Sequence, residues 1–233
     1  MKASILRVGF ENLDQRPPRG DGKRIADYLR ETPEPVIIIE QKEITDHNMA
    51  PIDDLIDLLQ RFLPKYRATL DTLRLEVWEK NDLSQFKTLR NRAERKFEEY
   101  YGEANDQIRD SHDLITSSDP KGILLVVNQA AGQMRDDFAC LVMGKLLYRE
   151  KNGKPKYPHL DGFIYIQRLQ GRLSWDGKQI TFLIALRPRQ ESDVLAHSIK
   201  ELVKSFAPEA IPRHPLQIFG GDPNHPCAFA NVE

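Results

Sequence analysis

The run Pro35-Val36-Ile37-Ile38-Ile39-Glu40-Gln41-Lys42 constrains this chain more than any other stretch. Four consecutive β-branched residues offer apolar side chains to both faces, as an interior strand of a sheet covered on both sides requires. Pro35 fits such a strand only at its start. Side chains alternate along a strand, so Glu40 and Lys42 share one face while Gln41 points to the other. One face therefore receives a carboxylate and an ammonium together. A wet strand end or a supporting ion pair is enough to explain a bare Glu-x-Lys, and what adds to it lies upstream.

Arg24-Ile25-Ala26-Asp27-Tyr28-Leu29 is a short apolar and aromatic segment, followed by Glu31-Thr32-Pro33-Glu34-Pro35 with its two prolines. The pair reads as an antiparallel strand and a hairpin connection of the longer kind, which folds Asp27 back towards Glu40 and Lys42. Two carboxylates and a lysine converging at a sheet end supply hard oxygen ligands for Mg²⁺, beside a cation able to orient or deprotonate a water. Phosphodiester hydrolysis is the chemistry that such a device suits.

In this pattern the chain resembles the PD-(D/E)xK nuclease superfamily: an Asp, a variable spacer, then Asp or Glu, any residue, and Lys on the next strand. Asp27, Glu40 and Lys42 match position by position, within about residues 24 to 42, and Ala26 stands where the family name has Pro. The resemblance implies a restriction endonuclease-like fold and a Mg²⁺ or Mn²⁺ cofactor at Asp27, Glu40 and Gln41. It also implies catalytic roles for Asp27, Glu40 and Lys42. Many members carry a further acidic residue on a first helix, where Glu11 is the candidate. The helix after the Glu-x-Lys strand often aims a polar side chain, frequently Gln, at the site, and Gln107 is the candidate for that role.

The balance of 34 basic and 35 acidic residues argues against a surface built throughout for nucleic acid, but it leaves room for local basic patches. Two stand out. The Pro- and Gly-rich loop of residues 15 to 24 carries Arg16, Arg19 and Lys23 just ahead of the Asp27 strand. Lys87, Arg90, Arg92, Arg95 and Lys96 crowd one helical segment against Glu94. Nucleic acid, DNA ahead of RNA, is the expected partner of both, and a solvated face is the alternative. No aromatic residue is interleaved among the helical cations, so stacking on single strands is not suggested.

Cys140 and Cys227 lie far apart and outside any C-x-x-C spacing, so neither a disulfide framework nor a zinc ribbon is implied. His214, His225 and Cys227 fit no zinc spacing, and His47 reads as an exposed loop histidine. With no secretory leader and no apolar stretch of membrane-spanning length, the expected setting is the cytoplasm, without membrane contact. Dinucleotide, Walker and serine-hydrolase motifs are absent from the sequence.

Residues 1 to 14 fit either a helix or a strand, helix being favoured. Helical periodicity then fills about residues 51 to 100, through Ile52, Leu55, Ile56, Leu59 and Phe62, later Leu70, Leu73 and Val77, and finally Phe86, Leu89, Ala93 and Phe97. That is more helix than one crossover needs, so it is expected to be an insertion packed outside an α/β core and a possible homodimer surface. A helix over 103–116 should face inward with Gln107, Ile108, Ser111, Leu114 and Ile115. Ile123 to Val127 should form a second buried strand, parallel to the first through a right-handed crossover, with Asn128 and Gln129 capping the next helix, near 135–148. Strands near 162–166 and 179–186 are expected to pair across Asp176-Gly177, ahead of a helix over 191–206 with Val194, Leu195, Ile199, Leu202 and Val203 inward. The tail from Pro208 reads as irregular. The expectation is one domain, a mixed sheet flanked by helices, acting as a metal-dependent nuclease. The alternative is an inactive member of the same fold serving as a nucleic-acid-binding or protein-interaction module.

Overall fold

In the computed structural model, residues 2–13, 24–45, 84–115, 119–129, 136–168, 180–187, 192–206, 219–220 and 228–231 are described. In chain order they form α1 (Lys2–Arg7), β1 (Glu11–Asn12), β2 (Tyr28–Arg30), β3 (Ile37–Ile44), α2 (Ser84–Ser111), β4 (Lys121–Asn128) and α3 (Asp136–Leu147). The small strands β5 (Glu150–Lys151) and β6 (Lys154–Pro155) follow, then β7 (Gly162–Arg168), β8 (Ile180–Leu186), α4 (Ser192–Phe206), β9 (Phe219–Gly220) and β10 (Ala228–Asn231).

One sheet runs in the order β1-β2-β3-β4-β7-β8-β10, with β9 also paired to β8. Its centre, β3-β4-β7, is parallel, and the strands next to it, β2 and β8, run antiparallel to β3 and β7, so the sheet is mixed. The apolar runs dictate this layering. Ile38, Leu124, Val126, Phe163 and Tyr165 pack beneath α2 and α3, with Phe97, Tyr101, Ile108 and Met143. The alternate residues Ile37, Ile39, Ile123, Leu125 and Ile164 pack beneath α1 and α4, with Ile5, Leu195, Ile199 and Val203. Strands that are apolar on both faces belong in the middle of such a sandwich. The expected mixed α/β sheet flanked by helices is therefore present. Among the described residues no helix is long and apolar enough to cross a membrane.

Several local expectations are corrected. Helix α1 ends at Arg7, Gly9 adopts a left-handed φ of 87°, and the chain then enters the edge strand β1. Glu11 thus sits on a two-residue strand opposite Leu29, away from any first helix. Helix α2 is one 28-residue element whose Phe97, Tyr100 and Tyr101 are buried in the core. The insertion boundary expected at about residue 100 therefore falls inside a core helix. Residues 51–83 lie outside the described residues, as do Arg16, Arg19, Lys23, His47, His214, His225, Cys227 and the Asp176-Gly177 turn. Asn128 Nδ2 donates to the Tyr165 hydroxyl at 3.1 Å in the interior, and residues 130–135, where its expected capping contact would fall, lie outside the described residues. Val194 is 52% exposed, while Leu195, Ile199, Leu202 and Val203 face inward. The tail returns to the sheet as β9 and β10, both laid along β8. The loop at residues 151–155 is a tight hairpin, with Asn152 and Gly153 both at positive φ as a type I′ turn demands.

Candidate active site

The hairpin register brings the carboxylates together. Tyr28 pairs with Ile39, Leu29 with Ile38 and Arg30 with Ile37, and one further step places Asp27 across from Glu40. Directly opposed residues of an antiparallel pair share a face, here the one covered by α2. Asp27 lies in the bend just before β2. Its Oδ2 accepts the backbone N–H of Gln41 at 2.7 Å, which fastens it to β3 beyond the end of the ladder.

Helix α2 supplies the other wall through one stripe, Tyr100, Glu103, Gln107 and Ser111, at helical spacings of three and four. Ser111 Oγ donates to the Gln107 carbonyl at 2.8 Å and accepts the Ala26 N–H at 2.8 Å, tying the last turn of the helix to the residue before Asp27. Gln107 Nε2 donates to the Ile25 carbonyl at 3.3 Å. Tyr100 donates to the Glu43 carbonyl at 3.1 Å, pinning the same face to β3 beyond Lys42. Between these ties sits the Lys42 ammonium, 3.0 Å from Glu40 Oε1, 2.8 Å from Glu103 Oε2 and 3.1 Å from Gln107 Oε1.

The charges are not balanced evenly. Glu40 is buried, and its Oε2 has no hydrogen-bond partner among the described residues. Burial, and then the negative charge of Asp27, push its carboxyl up to about 8, against a weaker downward pull from Lys42. Burial alone would lower the Lys42 ammonium, but its hydrogen bond to Glu103 and its contacts with Glu40 outweigh that and leave it raised. Glu103 is held below the usual carboxylate range, chiefly by the hydrogen bond from Lys42.

Asp27, Glu40, Lys42 and Gln107 thus meet at one place. Gln41 joins them only through its backbone, because its side chain lies on the other face, where Nε2 donates to Glu43 Oε1 at 3.1 Å. No family model, curated protein or solved structure matches the chain. Of the basic segment, Arg95 is exposed and Lys96 pairs with Glu99 at 3.2 Å while lying 5.1 Å over the Tyr100 ring. Lys87, Arg90 and Arg92 belong to the N-terminal part of α2.

The residue that sequence reasoning missed is Glu103. Its signal was available, since it lies four residues before Gln107 on the same stripe. Among the described residues no set of three or more His, Cys, Asp or Glu side chains is arranged for a metal, so a cation here would have two carboxylates and otherwise backbone carbonyl or water oxygens. Mg²⁺ is a cation that keeps several waters and is bound through one or two carboxylates.

Proposed function

We propose that the chain is a metal-dependent phosphodiesterase of the nuclease kind, with Asp27, Glu40 and Lys42 at its centre and DNA, ahead of RNA, as substrate. The observation that carries this reading is the buried Glu40 carboxylate, set against Asp27, with one oxygen lacking a hydrogen-bond partner among the described residues. Two adjacent carboxylates with an orphaned buried oxygen fit a divalent cation, which would neutralise both. Asp27, Glu40 and the Gln41 backbone would hold Mg²⁺ or Mn²⁺, and the bound ion would supply charge compensation and a water of lowered pKa.

The chain's own groups account for the remainder. Lys42, held by Gln107, orients the attacking water and offsets charge on the phosphate as the water oxygen bonds to phosphorus. The ester P–O bond breaks, and its oxygen leaves with a proton. The fold would then be of restriction endonuclease type, with a helical insertion ahead of α2 and a cytoplasmic setting. Arg16, Arg19 and Lys23 before the Asp27 segment, and Lys87, Arg90, Arg92, Arg95 and Lys96 along α2, would contact the phosphate backbone. The insertion is the candidate homodimer surface.

The test is cleavage of single-stranded, double-stranded and branched DNA and RNA with Mg²⁺ or Mn²⁺. Lys42→Ala is expected to abolish hydrolysis while leaving most nucleic-acid affinity, and Asp27→Asn and Glu40→Gln to weaken metal binding seen by calorimetry. A binding module of the same fold would cut none of these polymers, and its affinity would fall steeply with salt. Absence of both cleavage and binding would leave a protein-interaction role.

A further inference from the structure

Three oxygens stand within 3.1 Å of the Lys42 ammonium, as many as it has N–H donors: Glu40 Oε1, Glu103 Oε2 and Gln107 Oε1. A phosphate oxygen that reaches for this ammonium has to compete with them. If the site acts on phosphodiesters, as proposed above and as this inference presupposes, one of the three acceptors has to withdraw. The surroundings decide which. Glu40 is 3% exposed at the side chain, and swinging it away would strand a buried carboxylate. Gln107 is pinned at its other end by the Ile25 carbonyl. Glu103 is 55% exposed, and the contact that holds it is Lys42 itself. Rotating it into solvent costs one half-exposed ion pair, a weak interaction.

We propose that Glu103 is a place-holder for the substrate: its carboxylate occupies on Lys42 the position that an anionic phosphodiester oxygen takes, and the incoming backbone displaces it. The exchange trades one anionic oxygen for another, so the ammonium is never left without a partner. A neutral ligand cannot drive it. Glu103 thereby keeps Lys42 charged and aimed while the site is empty, and it opposes binding by the strength of the contact that must be broken.

Steady-state cleavage by Glu103→Ala and Glu103→Asp, against wild type and Asp106→Ala, separates this from other roles. The aspartate keeps the charge but is one methylene too short for the contact, and Asp106 lies one turn away, paired with Arg109 and without touching Lys42. Both Glu103 variants are expected to lower KM by about two- to five-fold, as loss of one half-exposed ion pair implies, with kcat nearly unchanged and Asp106→Ala near wild type. A fall in kcat at constant KM would overturn the proposal and make Glu103 a positioning residue for Lys42. Glu103→Asp matching wild type while both alanine variants lower KM would reduce its effect to bulk charge, and also overturn it.

Titration of a short DNA duplex in EDTA keeps the question open to test without cleavage. Tighter binding by both Glu103 variants, lost when Glu103→Ala is combined with Lys42→Ala, supports the place-holder. Equal affinities overturn it. A wild type that binds but cuts nothing overturns the nuclease reading alone.

Discussion

Burial of Glu40 ties its protonation to folding. Its carboxyl sits at about 8 in the folded protein against 4.5 for the free group, so between those values the folded state holds a proton that the unfolded chain has released. Stability from this group is therefore lost as pH rises from about 4.5 to 8 and is level above that. In EDTA, urea unfolding of wild type at several pH values across the window should show a downward slope that Glu40→Gln flattens. Equal slopes in the two proteins would mean that the carboxylate is solvated. Asp27, Glu40 and Lys42 were legible from sequence because strand alternation and a hairpin register are local rules. Glu103 carried only its spacing of four from Gln107, because a glutamate on a charged helix looks solvated until the strand beneath that turn is known. The contact of Asn128 with Tyr165 was hidden for the same reason, since Tyr165 comes from a different strand.

At the scale of elements, α2 is both wall of the site and half of the core. Phe97 and Tyr101 are 1% and 0% exposed, and the Tyr101 hydroxyl donates to the Met143 carbonyl at 2.7 Å. Excising residues 51 to 100 is thus expected to unfold the protein, because it removes Phe97 and Tyr100 from the core and cuts the helix one turn before Glu103. Circular dichroism of the shortened chain checks this, and a cooperative native-like melt would restore the sequence-derived boundary. Phe97→Ala should by itself cost about 3–5 kcal/mol in denaturant unfolding. Periodicity identified the helical residues here but could not say which helix was core. An amphipathic stripe has the same form whether it meets a sheet or another helix. The buried strands were easier, since an apolar run of five residues has few other places to go.

For the whole molecule, the last strands close one side of the sheet. Residues Thr181 to Leu186 of β8 pair with β10 and then β9 along the edge that faces away from β7. Removing residues 207–233 should expose that edge as a row of unpaired N–H and C=O groups, which invites pairing with another chain. Light scattering should then show concentration-dependent association beyond that of the untruncated chain. A truncated protein of unchanged oligomeric state and stability would show that these strands contribute nothing. Composition concealed them, because a segment rich in Pro, Gly and His carries no alternation long enough to mark a strand.

The pairing of β3 with β4 also sets an order of events at the ribosome. Ile37 has Lys121 as its partner across the parallel ladder, so the chain between them must be made before the sheet can close at its centre. At about 5–20 residues per second, β3 waits on the order of ten seconds for that partner. Its hairpin with β2 needs nothing later, so Asp27 and Glu40 can meet while Glu103, Gln107 and Ser111 are still untranslated. In the nascent chain the acidic pair is therefore older than its clamp, and the isoleucine run beside it is a stretch that a chaperone would meet bare.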